Sequence, residues 1–160
     1  MAETSHTKIN KTSHKKAHRA TRGIESEQAA DLPGEVGCFK GLGDVALARS
    51  DLDGARALYE RALPLSEQAA DVAGEAGCMV GLGDVALACS DLDNARARYE
   101  RALALYQVIP APFSIGWTRV RLARLDHSGD IRTLHWKAAR QAWTSIGRDD
   151  LIESLKTEFR

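Results

Sequence analysis

An all-α stack of antiparallel helical hairpins is the fold this sequence predicts, and three observations predict it. The chain repeats itself: GEVGCFKGLGDVALARSDLDGARALYERAL at 34–63 returns as GEAGCMVGLGDVALACSDLDNARARYERAL at 74–103, identical at 24 of 30 positions in a forty-residue register. Periods of this length belong to arrays whose units bury their apolar faces only against neighbouring units. Within a unit, Phe39, Leu42, Val45 and Ala46 step at three and four, as do Ala55, Leu58, Tyr59, Ala62 and Leu63. That spacing puts each set on one face of a helix. Between the two sets stands Ser50-Asp51-Leu52-Asp53, repeated as Ser90-Asp91-Leu92-Asp93. Ser or Asp caps a helix start, and the second Asp falls in the first turn, where the helix dipole favours negative charge.

Taken in order, the chain opens with a basic tail, residues 1–24. Residues 1–23 carry six Lys or Arg against Glu3 alone, about +5, so the remainder is about −5 in a chain of zero net charge. One large apolar residue, Ile9, cannot offset the entropy of ordering this stretch, which predicts disorder. Transit peptides are also basic and rich in Ser and Thr, but they carry an apolar stripe that is missing here. SEQAAD at 26–31 recurs at 66–71, so the array begins near Glu25 with a partial unit, 25–33. Units at 34–73 and 74–113 follow. In the first helix of each, glycines such as Gly37, Gly41 and Gly43 cost about 1 kcal/mol apiece unless a neighbouring helix approaches closely.

Residues 114–147 form a degenerate third unit. Leu122 keeps the register, Ser128-Gly129-Asp130-Ile131 restates the turn after a one-residue deletion, and Ala139, Ala142 and Trp143 continue a helical stripe. Pro110 and Pro112 end the preceding helix near Ile109. Gly147 suits a helix C-terminus, and residues 148–160 read as a capping helix with Leu151, Ile152, Leu155 and Phe159 on one side.

The repeated unit resembles the tetratricopeptide repeat. Leu42-Gly43 and Leu82-Gly83 match the family's Leu-Gly pair; Ala55, Tyr59 and Ala62, with Ala95, Tyr99 and Ala102, match its second-helix pattern. Phe39 and Met79 replace the family's Trp, Ala46 and Ala86 its first Tyr, and Glu67 and Gln107 stand where Pro would close the unit. The forty-residue length is similar to that of a long-repeat variant in bacterial signalling and regulatory proteins. The resemblance implies a right-handed superhelical stack and a protein-interaction scaffold that binds a peptide or partner domain in the concave groove lined by first helices. By the same resemblance Lys40, Asp44, Asp84, Arg121 and Arg124 face that groove, making it acidic in two units and basic in the third. The Lys and Asn pair with which some members clamp a terminal carboxylate is missing from it. The second reading is a terminal repeat fragment of a larger bacterial multidomain signalling or transcriptional regulator; a small enzyme ranks third.

Little in the sequence points to chemistry. GLGD at 41–44 and 81–84 lacks the Gly-Lys-Ser/Thr ending of a phosphate loop, so helix packing accounts for it. His6, His14 and His18 lie in the tail without a fixed carboxylate or Cys partner, and His127 and His135 flank a turn; neither set makes a metal site. Cys38 and Cys78 occupy equivalent positions and read as buried small residues, while Cys89 replaces Arg49. No nucleophile elbow or other catalytic motif stands out, so we expect no enzyme, no cofactor and no metal. The odd cysteine count and the lack of an apolar run or secretory signal predict a cytoplasmic chain without membrane attachment. Nucleic acid is an unlikely partner, reachable only through tail 1–23, which lacks stacking aromatics. The array ends expose apolar helix faces and predict self-association.

Overall fold

The computed structural model describes residues 32–126 and 129–159. The tail and most of the partial unit, with His6, His14, His18 and His127, lie outside the described residues. Among those described, seven helices follow one another: α1 (32–48), α2 (Leu52–Gln68), α3 (Val72–Ala88), α4 (Leu92–Val108), α5 (Pro112–Leu125), α6 (Gly129–Thr144) and α7 (Asp149–Leu155). Each packs on its chain neighbours, giving three hairpins (α1/α2, α3/α4, α5/α6) and a terminal helix, an all-α solenoid.

The turns are more regular than the repeat suggests. Asp51, Asp71 and Asp91 stand twenty residues apart, and their side chains accept the backbone N–H of Gly54, Gly74 and Asn94 at 3.0, 2.8 and 3.2 Å. The residue before each is left-handed: Ser50, Ala70 and Ser90 have φ of 61°, 51° and 63°. The N–H of each Asp then reaches back to close the preceding helix, onto the carbonyls of Ala46, Ser66 and Ala86 at 2.9 Å. Of the two candidate caps, Asp is therefore the cap and Ser is the turn's left-handed residue. The link between units, Ala69-Ala70-Asp71, has the same geometry as the link within a unit. The elementary spacing is one helix plus one turn.

The third unit departs from that spacing in α5, which has 14 residues where α2, α3 and α4 have 17. The next helix thus begins three residues early, and the single deletion read from the turn residues is an underestimate. Pro112 occupies the first turn of α5, where its missing N–H costs nothing. Gly147, with φ of 69°, closes α6 through Arg148 N–H onto Trp143 C=O at 3.0 Å. Helix α7 stops at Leu155, and Phe159 beyond it stacks on Trp136 at 4.8 Å.

The core runs along the hairpins. Ala55 and Tyr59 pack on Leu82 and Val85; Ala95, Tyr99 and Leu103 pack on Leu122 and Leu125; Trp136, Ala139 and Trp143 pack on Val120 and Ile152. In α1 the expected stripe is not buried. Leu42 and Val45 are 54% and 48% exposed, against 6% and 1% for Leu82 and Val85. The reason is positional, since α2 covers that face of α3 while no described helix precedes α1. Cys38 is exposed for the same reason, and only its equivalent Cys78 is the buried small residue expected, its thiol pushed by burial up to about 11.

Candidate functional site

The first helices of the three hairpins lie side by side and enclose an open cavity of about 570 Å³. Helix α1 contributes Lys40 and Asp44, α3 contributes Gly77, Val80, Gly81 and Asp84, and α5 contributes Phe113, Trp117 and Arg121; Tyr106 closes one side. Four of the five residues assigned to the groove from sequence line this cavity. Arg124 does not: it forks onto Glu158 at 2.8 and 3.0 Å.

The charges in the groove are paired with one another. Lys40 Nζ lies 2.8 Å from Asp44, whose other oxygen accepts the Tyr59 hydroxyl at 2.7 Å. Asp84 accepts Nε and Nη2 of Arg121 at 2.8 and 3.0 Å, and the Tyr99 hydroxyl at 2.7 Å. Burial, then the neighbouring carboxylate, raises both phenols above their ordinary pKa, keeping them as donors. Burial alone would lower the Arg121 guanidinium, but the hydrogen bonds and charge of Asp84 outweigh it and hold it above its usual value. Both carboxylates are therefore already partnered, and reversing the charge of Asp84 would strand Arg121 and Tyr99.

The apolar part of the cavity went unread in the sequence, although a signal was present. In the forty-residue register Trp117 stands where Gly37 and Gly77 stand, and Arg121 where Gly41 and Gly81 stand. With Phe113 these residues are spaced by four, so the third unit departs from the repeat along one face of α5, the face that meets the cavity. Phe113 is 45% exposed, and Trp117 is held edge-on against Trp143 at 5.2 Å between ring centres.

A second polar cluster bridges α4, α5 and α6. Arg96 forks onto Asp126 at 2.8 and 3.3 Å, His135 Nε2 lies 3.6 Å from the same carboxylate, and Arg119 Nη1 lies 3.2 Å from His135 Nδ1. Among the described residues Arg119 Nε is buried without a partner. Burial first, then the Arg119 and Arg96 charges, lower the His135 pKa against the opposing pull of Asp126 and Glu100. The folded chain thus binds fewer protons at His135 than the unfolded one, so stability falls as pH drops through about 6.5 towards the lowered folded value. We expect His135→Gln to flatten this part of the stability profile, measured by urea unfolding between about pH 7.5 and 5; an unchanged slope would remove His135 as its source. Among the described residues no group of three or more His, Cys, Asp or Glu is placed to hold a metal ion, and no helix is long and apolar enough to cross a membrane.

Stacked hairpins of near-identical sequence, with first helices facing a shared groove, define an α-helical repeat protein of the solenoid class. A family model, Tetratricopeptide repeat, matches residues 35–107, which supports assigning this stretch to the tetratricopeptide repeat family. The match spans both near-identical units. No curated protein and no solved structure matches the chain.

Proposed function

We propose that the chain is a protein-interaction scaffold whose α1/α3/α5 groove takes a peptide anchored by an apolar or aromatic side chain. Tetratricopeptide repeats generally mediate protein–protein interactions. The observation that carries the finer reading is the division of labour in the groove. Its carboxylates are satisfied internally, whereas Phe113, Trp117 and Val80 present apolar surface to an open cavity. Accessible aromatic side chains lining a concave, mostly apolar surface are the usual material of a binding hot spot. Lys40 and Asp44, paired with each other and 38% and 53% exposed, are the charges freest to exchange partners and select the peptide's flanking residues.

Selection of a displayed random peptide library on the chain tests this, with Phe113→Ala and Gly77→Leu as comparison proteins. A Cβ at Gly77 meets the flexible end of Lys40 at 2.9 Å and the Tyr106 hydroxyl at 3.9 Å, so leucine there pushes Lys40 aside and fills the groove. Selected peptides should carry aromatic or large aliphatic residues and lose at least about tenfold in affinity to either variant, with helicity by circular dichroism unchanged. Peptides that bind both variants as tightly as the parent would place the binding surface elsewhere.

A further inference from the structure

The outward face of α1 duplicates a face whose occupant is visible. On α3, Cys78, Gly81, Leu82 and Val85 line one side of the helix, and Ala55 and Tyr59 of α2 seat on it. The Tyr59 ring lies directly over Gly81, so that a Cβ there would overlap the ring carbons. The residues of α1 at these positions, Cys38, Gly41, Leu42 and Val45, are the same four. Among the described residues nothing lies within 4 Å of a Cβ placed at Gly41, and Leu42 and Val45 are about half exposed. The chain's own preceding residues repeat only the end of the seated helix, SEQAAD at 26–31 for 66–71, and not its packed face. In the forty-residue register Lys15, Arg19 and Arg22 stand where α2 has Ala55, Tyr59 and Ala62, each fully buried.

We infer that the outward face of α1 is a docking site for an amphipathic helix of another protein, one bearing alanine and tyrosine four residues apart. One difference between the two faces refines the partner's chemistry. Cys89, just past α3, accepts from Arg56 at 3.7 Å, and at the equivalent place past α1 stands Arg49. A helix docked on α1 in the manner of α2 therefore meets a cation where Arg56 meets a thiol. Its residue after the alanine should be acidic, and the full pattern is Ala-Glu/Asp-x-x-Tyr. A second copy of this chain is a poor source, because its α2 and α4 are already seated on α3 and α5.

The test uses the full chain and a labelled peptide of residues 52–68 carrying Arg56→Glu. A lactam from Asp53 to a lysine introduced by Ala57→Lys, both exposed positions, holds the peptide helical. Anisotropy should show saturable binding, roughly tenfold tighter than that of the same peptide with Arg56 retained. Gly41→Leu in the chain should abolish it, because the leucine occupies the tyrosine seat. No described neighbour crowds position 41, so this variant should keep its helicity and melting temperature. Lack of saturation at about 1 mM peptide, or binding indifferent to Gly41→Leu, would overturn the inference. So would light scattering that shows a dimer broken by Leu42→Glu, which assigns the face to a second copy. Binding that appears only after deletion of residues 1–31 would equally count against it, by assigning the face to the chain itself.

Discussion

Gly116→Ala is expected to cost about 3 kcal/mol, and to take that stability from one end of the array. A Cβ at Gly116 would fall on the indole of Trp143, which is fully buried and donates its N–H to the Phe113 carbonyl at 3.2 Å. The ring cannot move aside without giving up that hydrogen bond and its edge-on contacts with Trp117 and Trp136. All three tryptophans lie in α5 and α6. Their fluorescence therefore reports the third hairpin, while far-UV circular dichroism reports every helix. In a linear array coupled through nearest neighbours, the fluorescence midpoint should fall well below the dichroism midpoint in this variant. The repeat supplies an internal control. Gly81→Ala should be destabilising by about 1–2 kcal/mol because its Cβ meets the Tyr59 ring, whereas Gly41→Ala should gain up to about 1 kcal/mol from helix propensity alone. Equal effects at positions 41 and 81 would contradict the packing described here.

Asp84→Ala should cost about 2–3 kcal/mol, and Asp44→Ala under about 1 kcal/mol, although the two aspartates occupy the same position in the repeat. Each accepts a tyrosine hydroxyl from its own hairpin. Only Asp84 also receives a forked guanidinium, with side chains 24% and 29% exposed, and its removal leaves Arg121 partly buried and unpaired. The cation beside Asp44 is the solvent-accessible Lys40 of its own helix. Removing Arg121 together with Asp84 should recover part of the loss, and urea unfolding of the four species measures the coupling. A coupling below about 0.5 kcal/mol would reduce the contact to an incidental surface pair.

Hairpins, turns and family were legible in the chain because they are local or repeated properties. A 3.6-residue period shows in any helix that buries one face, an Asp cap acts within three residues, and a duplicated stretch is visible without knowing what it packs against. The same locality hid what distinguishes equivalent residues. Leu42 and Leu82, Gly41 and Gly81, Cys38 and Cys78 share identity and local surroundings, yet one of each pair faces solvent because α2 covers α3 and no described helix covers α1. The groove followed the same rule. Lys40, Asp44, Asp84 and Arg121 could be placed on first helices by register, but their charges could not be summed from sequence. The partner that neutralises Asp84 stands thirty-seven residues away on a neighbouring unit, at a position the repeat reserves for glycine. By itself, then, the sequence determined that the repeated units are helical hairpins and that the hairpins stack. Only the tertiary structure decided which copy of each residue is covered and which charges pair, because burial and ion pairing depend on the neighbouring unit and not on the residue's own.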